Sequence, residues 1–446
     1  MFPLLASIGL IVVGMFTTTL GPTMSGKAEW ALPYDLWGTL IAAVRLVHGN
    51  VGGLYTQPTG LVSLPGAAII LLPCAAVITA TGLSLEIPGP QNLHPPVWLL
   101  AGPYQMALCC VTLFAADALA EQLGVTRWKR GLLAVASAGI LWNVSARWGH
   151  PEDAVAVGLL LYSVLALSRS RTALGGWLAG AAICVQPLVL LAVPLLLAVL
   201  PWRRMPLFLL RSAVPSTVLL GAAALANWQA TYTATTSQPD SPVINHPTAW
   251  TSLAPHMAGS NVAAGPARLA TIVLACCCAL AVRRHWLAQL DAARTADAAE
   301  PAEPAEMAEM AEMAEPAEMA ANGGPQAAGT AQRAYWWPPA LLADVLWWAA
   351  LALALRSFFE PVMVSYYPWP PLAVALIPAA TLSWPRLVTA SVVAGLITAA
   401  AQGPSHSPWI WWAPLVAGLV IMLALARGWR ASKARVRPRE PLQVSY

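Results

Sequence analysis

The stretch FPLLASIGLIVVGMFTTTL, residues 2–20, carries no charge. It is long enough to cross a bilayer as one helix, which takes about 20 apolar residues. No basic region precedes it and no small-x-small cleavage site follows it, so it reads as a spanning helix and not as a leader. Similar runs recur along a chain that is 58% hydrophobic and 10% charged, with a mean hydropathy of +0.62. The class this describes is an all-α polytopic membrane protein. A membrane β-barrel is excluded, because no stretch alternates polar and apolar residues with period two.

Basic clusters thread the spans. Arg127/Lys129/Arg130, Arg169/Arg171, Arg203/Arg204, Arg283/Arg284, Arg386 and the tail from Arg427 to Arg439 fall on the cytoplasmic side by the positive-inside rule. Residues 21–64, 147–153, 227–265, 356–369 and 402–408 are then outer segments. The net charge of +4 therefore reports topology and not nucleic-acid binding. The segment 173–200 has basic residues at both ends and a break at Gln186-Pro187, which predicts a bent hairpin. Simple parity fails at 64–83, so one of these two segments is re-entrant or shortened. The seven cysteines all lie in apolar runs and read as small buried hydrophobes.

The organisation that follows is a transmembrane module over 1–290, a linker over 291–334, a second transmembrane module over 335–427 and a basic tail over 428–446. The linker repeats Ala-Glu-Pro and Ala-Glu-Met, a composition that buries no core and is expected to be flexible and cytoplasmic. Nine of the 20 acids lie between Asp291 and Glu318, which leaves 11 for the rest of the chain. Where acids are this scarce in an apolar protein, each isolated one is a functional candidate.

Three outer constellations stand out. The first loop holds Glu29, Asp35, Arg45, His48 and Tyr55, and Leu36–His48 has the apolar spacing of a short helix lying along the membrane interface. Asp35 at its start has two readings: a catalytic carboxylate, or an acid that caps the free N–H groups of the helix. The second is RWGHPED, residues 147–153, in which Arg147, His150, Glu152 and Asp153 crowd the turn between two spans. The third runs from Arg356 through Phe358, Phe359, Glu360, Tyr366 and Tyr367 to Trp369, either as interface anchors or as a phosphate and sugar site. His246 and His256, in the long loop, lack any metal-ligand spacing.

The apolar first span, the acid in the first outer loop, the turn Gly52-Gly53-Leu54-Tyr55 and the later Gly149-His150-Pro151-Glu152-Asp153-Ala154 together resemble bacterial GT-C glycosyltransferases. The likeness is nearest to the polyprenol-phosphate-mannose-dependent mannosyltransferases of glycosyltransferase family 87. It covers roughly residues 1–210, with a weaker echo at 356–372. The resemblance implies a GT-C-like bundle of about 10–12 transmembrane or re-entrant helices with a catalytic first outer loop, in a bacterial plasma membrane with its site on the outer side. It implies that Asp35 is the general base of an inverting transfer from a polyprenyl-phosphate sugar to a glycan or glycolipid acceptor. Arg147, His150 and Arg356 are then candidates for the donor phosphate, and Glu152, Asp153, Tyr55, Glu360, Tyr366 and Tyr367 for the sugar or acceptor.

No cofactor is expected, and a divalent metal is possible but not favoured, since a lipid monophosphate needs no metal to neutralise a pyrophosphate. One departure is plain: related transferases often carry a Lys before the Pro of the 173–200 hairpin, where this chain has Gln186. Two other readings stand beside the transferase. A secondary transporter or flippase would rest on the in-span Asp344, and a silent membrane scaffold would use the linker as its docking segment.

Overall fold

The computed structural model describes residues 1–20, 30, 32–56, 61, 63–86, 94–236, 241–243, 245–299, 337–403 and 407–428. Glu29, Asp240, the linker from residue 300 and the tail from residue 429 lie outside the described residues. What is described is an all-α polytopic membrane protein with one small two-stranded ribbon. Six helices are long and apolar enough to cross a membrane: Phe2–Leu20, Val97–Gln122, Pro151–Ser168, Trp202–Ala226, Pro266–Ala288 and Pro339–Phe359. Shorter apolar helices accompany them, among them Thr172–Val185, Trp369–Ala379, Trp384–Ala400 and Trp412–Ala426.

The Pro151–Ser168 helix is the centre of the bundle, 89% buried where the first span is only 28% buried. Thr172–Val185 packs between it and Met205–Ala226, and Pro339–Phe359 packs between Trp369–Ala379 and Pro266–Ala299. One continuous apolar core runs from Leu10 to Ala426, so the segments on both sides of the linker share it. A second core lies under the Tyr34–Val47 helix, built from Leu36, Trp37 and Leu40 against Ala67, Leu71 and Trp98. The Pro266 helix continues to Ala299, so residues 291–299 of the linker are helical, and the rest of the linker lies outside the described residues.

The two problem segments are both short. Residues 65–81 form the helices Pro65–Ile69 and Leu72–Thr81, and 10 residues span only about 15 Å. In the hairpin, Thr172–Val185 ends at Gln186 in extended conformation, and a 3₁₀ turn and the Val193–Ala198 helix bring the chain back. Arg204 Nη1 lies 3.5 Å from Thr172 Oγ1, so the segment does begin and end at the same face. The cysteines divide: Cys276 and Cys277 are exposed and the other five are buried. Lipid accepts a thiol as readily as a core does, which is why the apolar context alone misplaced these two.

The end of the bundle opposite the basic clusters is cross-tied. His246–Pro247 and Val362–Met363 pair antiparallel, with His246 against Met363 and Pro247 against Val362. Thr248 Oγ1 donates to the carbonyl of Glu360 at 2.6 Å, and Trp250 Nε1 to that of Phe358 at 2.7 Å. Asn143 Nδ2 donates to the Ser365 carbonyl at 3.2 Å, and its Oδ1 accepts from Gln402 Nε2 at 2.5 Å. Asn143→Leu leaves a buried carbonyl and an amide without this partner, a loss of about 1–3 kcal/mol. The expected outcome is a lower melting temperature in detergent, and an unchanged melt would show that these ties carry no stability.

Candidate active site

Local structure first explains why His150 sits where it does. The Arg127–Trp142 helix ends in a π-turn over Asn143–Arg147, a wide turn that commonly marks functional positions. Gly149 follows at φ +65, a left-handed conformation that favours glycine. A Cβ there would also lie 2.9 Å from Pro33 Cγ. The glycine therefore lets the chain reverse and lets the residues before the Tyr34–Val47 helix close onto the turn. Asp35 and His150, distant in sequence, meet across this contact.

The imidazole of His150 is 3% exposed and lies between two carboxylates. Nε2 is 3.0 Å from Asp35 Oδ2 and Nδ1 is 2.7 Å from Glu152 Oε1. A carboxyl oxygen within hydrogen-bond distance of each nitrogen favours a proton on both, the imidazolium form of the ring. Burial alone would depress its pKa, but Glu152 and Asp35 outweigh that and hold it well above the usual histidine value. Burial likewise pushes the Asp35 carboxyl up, while the hydrogen bond and charge of His150 bring it below the ordinary aspartate value. Asp35 is thus ionised and fixed through Oδ2, and Oδ1 has no partner among the described residues.

Asp35 is the second residue of its helix. Pro33 occupies the N-cap and no side chain caps the turn, so the capping reading does not describe what this carboxylate does. Its side chain keeps 45% exposure, whereas that of Glu152 keeps 6%. One acid is reachable from outside and the other is a buried counter-ion. Asp153, also buried, accepts from Gln186 Nε2 at 2.9 Å, which ties the hairpin tip to the central helix. Gln186 thus supplies an amide donor at the break of the hairpin.

The loop 360–369 closes the other wall. The Tyr366 ring lies 4.0 Å from the His150 ring at 31°, and Trp148 flanks Tyr366 at 6.0 Å. Burial, with the negative fields of Tyr367, Asp153 and Asp35, drives the Tyr366 phenol well above its usual pKa, so it remains a neutral hydroxyl. The Arg356 guanidinium stacks over Tyr367 at 3.8 Å, with Nε 3.6 Å from Glu360 Oε2. Arg268 also holds Glu360, through Nε at 2.7 Å and through Nη2. Glu360, expected at the sugar or acceptor, is thereby the shared counter-ion of two arginines.

Two predicted site residues stand apart. Arg147 is exposed at the end of the π-turn, whereas His150, three residues later, is buried. Tyr55 is buried in the second core and donates to the Ser63 carbonyl at 3.2 Å. Arg45 and Asn50 shape its turn, Arg45 through the carbonyls of Gly53 and Thr56 and Asn50 through the Gly53 N–H. Asp344 pairs with His285 at 3.3 Å, near the start of its helix and toward the basic end. Among the described residues no group of three His, Cys, Asp or Glu is arranged to hold a metal ion. No family model, curated protein or solved structure matches the chain.

The raised pKa of His150 fixes a sign for its effect on stability. A histidine whose folded pKa lies above its unfolded value of 6.5 stabilises fully below that value and loses the contribution as pH rises through the folded one. Wild type should therefore melt above His150→Gln at pH 6, and the gap should narrow on the alkaline side. A gap that is constant with pH would contradict an imidazolium at this position.

Proposed function

We propose that this protein is an inverting membrane glycosyltransferase that moves a sugar from a polyprenyl-phosphate donor to a glycolipid or polysaccharide acceptor. The observation that carries the reading is a half-exposed, ionised Asp35 held by a buried imidazolium at the end of a membrane bundle remote from the basic clusters. By the positive-inside rule that end is the outer one, in a bacterial plasma membrane. Mannose is the favoured sugar and arabinofuranose the alternative.

In this mechanism Asp35 Oδ1 takes the proton of an acceptor hydroxyl as that oxygen attacks the anomeric carbon. The bond from the anomeric carbon to the phosphate oxygen breaks with its electron pair on the phosphate, and the configuration inverts. His150 positions the base through Oδ2 and keeps it ionised. Because both of its nitrogens already carry protons, it does not relay one. The positive charge of Arg356 faces the departing phosphate, in place of His150, whose two ring nitrogens are taken by carboxylates, and the neutral Tyr366 hydroxyl is a donor for it or for the sugar. Gln186 and Asp153 form a polar edge at the hairpin tip suited to sugar hydroxyls.

A positioned general base supplies on the order of 10²–10⁴ in rate. Asp35→Asn should lower transfer from polyprenyl-phosphate mannose in membranes by about that factor while leaving the protein folded. Transfer at the wild-type rate would remove Asp35 from the mechanism, and activity with only the arabinofuranosyl donor would change the sugar. Arg356→Lys keeps the charge but loses the stacked, planar guanidinium. It should raise KM for the donor more than it lowers kcat, and the reverse pattern would place Arg356 away from donor binding.

A further inference from the structure

At the opposite end of the central helix the chain makes a second charged site that the transfer chemistry does not use. Arg171 and Thr172 face Arg203, Arg204, Leu207 and Arg211 around a cavity of about 350 Å³. Its lining holds four arginines and no acid, and none of the four is in a salt bridge among the described residues. By contrast Arg130, at the same end, is neutralised by Asp117 at 2.7 Å. The helices Thr172–Val185 and Met205–Ala226 both begin here, so two positive dipole ends add to the field. Gly176 lies against Arg211, where a Cβ would approach the Arg211 Cβ to 3.0 Å, and this close crossing sets the half-buried Arg211 beside its three exposed neighbours.

Four cations gathered with no acid beside them among the described residues repel one another, and an anion of matching size relieves that repulsion. The surroundings say which kind. Trp202 is 77% exposed, and Leu174, Leu207 and Leu210 also present open apolar surface next to the arginines. An exposed indole beside exposed leucines marks the level where headgroups meet acyl chains. Basic pockets between membrane helices at this level suit phospholipid headgroups. We propose that this cavity binds the headgroup phosphate of an anionic phospholipid, whose acyl chains lie along Leu174, Leu207 and Leu210. A headgroup with two phosphates matches the four charges best.

The test uses the full chain in detergent, titrated with diphosphatidylglycerol or phosphatidylcholine, with bound lipid counted by native mass spectrometry. Diphosphatidylglycerol should bind at least about tenfold more tightly than phosphatidylcholine, given roughly fivefold per surface arginine. Arg203→Gln should weaken it about fivefold and Arg203→Gln with Arg211→Gln roughly 25-fold on the same scale. Arg284→Gln, at the same end but outside the cavity, should leave binding unchanged. Arg203 is exposed, so the single variant decides the matter even if loss of Arg211 disturbs folding. Equal binding of the two lipids overturns the proposal, and so does a loss in Arg284→Gln equal to that in Arg203→Gln. Displacement of the lipid by millimolar inorganic phosphate would assign the cavity to a free anion and overturn the lipid assignment.

Discussion

A charged imidazole buried in a membrane protein has to be neutralised on the spot, and the site is organised around that requirement. Desolvating an ion costs several kcal/mol, which only close opposite charge and hydrogen bonds recover. His150 has an acid on each ring nitrogen, one of them buried and one facing out. The asymmetry separates their roles. Glu152 is a permanent counter-ion, whereas Asp35 is the group that an incoming molecule can touch. Removing either acid leaves the ring with a single counter-ion, so the contributions of the three groups are not additive.

The same logic repeats around Glu360. Two arginines from different helices, Arg268 and Arg356, converge on one buried carboxylate, and Tyr367 supplies its ring face to the second of them. The backbone carbonyl of Glu360 is in turn fixed by Thr248. The long loop is therefore part of the wall that holds Arg356. The strand pair, the Asn143 ties and the Gln186–Asp153 bond give the end of the bundle opposite the basic clusters cross-links that apolar helix packing alone does not supply, because lipid offers helices as good an apolar neighbour as another helix does.

Much of this was legible in the sequence because charge is scarce there. Asp35, His150, Glu152, Asp153, Arg356, Tyr366 and Tyr367 were singled out as ionisable or aromatic residues at outer turns, and the fold brings them to one end. Arg147 and Tyr55 satisfy the same criterion but differ in setting, Arg147 being exposed and Tyr55 buried with its hydroxyl on the Ser63 carbonyl, since position in a turn does not fix burial. Neutral amides escaped the criterion altogether: Gln186 read as a missing cation and Asn143 as nothing. Arg268 left a signal that went unused. It is a basic residue at the outer end of a span, where the positive-inside rule disfavours one, and its partner is the outer acid Glu360. The bounds of the interfacial helix were readable from its apolar spacing, while the π-turn before His150 depends on tertiary packing and has no sequence signature of its own.

Asp35 and His150 belong to different halves of the apolar interior. The helix of Asp35 rests on the smaller core with Trp37 and Trp98, while the helix that His150 opens runs through the larger one. Their 3.0 Å hydrogen bond crosses the seam between the two. A slip of a fraction of an ångström along that seam leaves each core intact yet moves the carboxylate off its anchor. The position of the carboxylate relative to its anchor is thus set where the two cores meet, and not inside either of them.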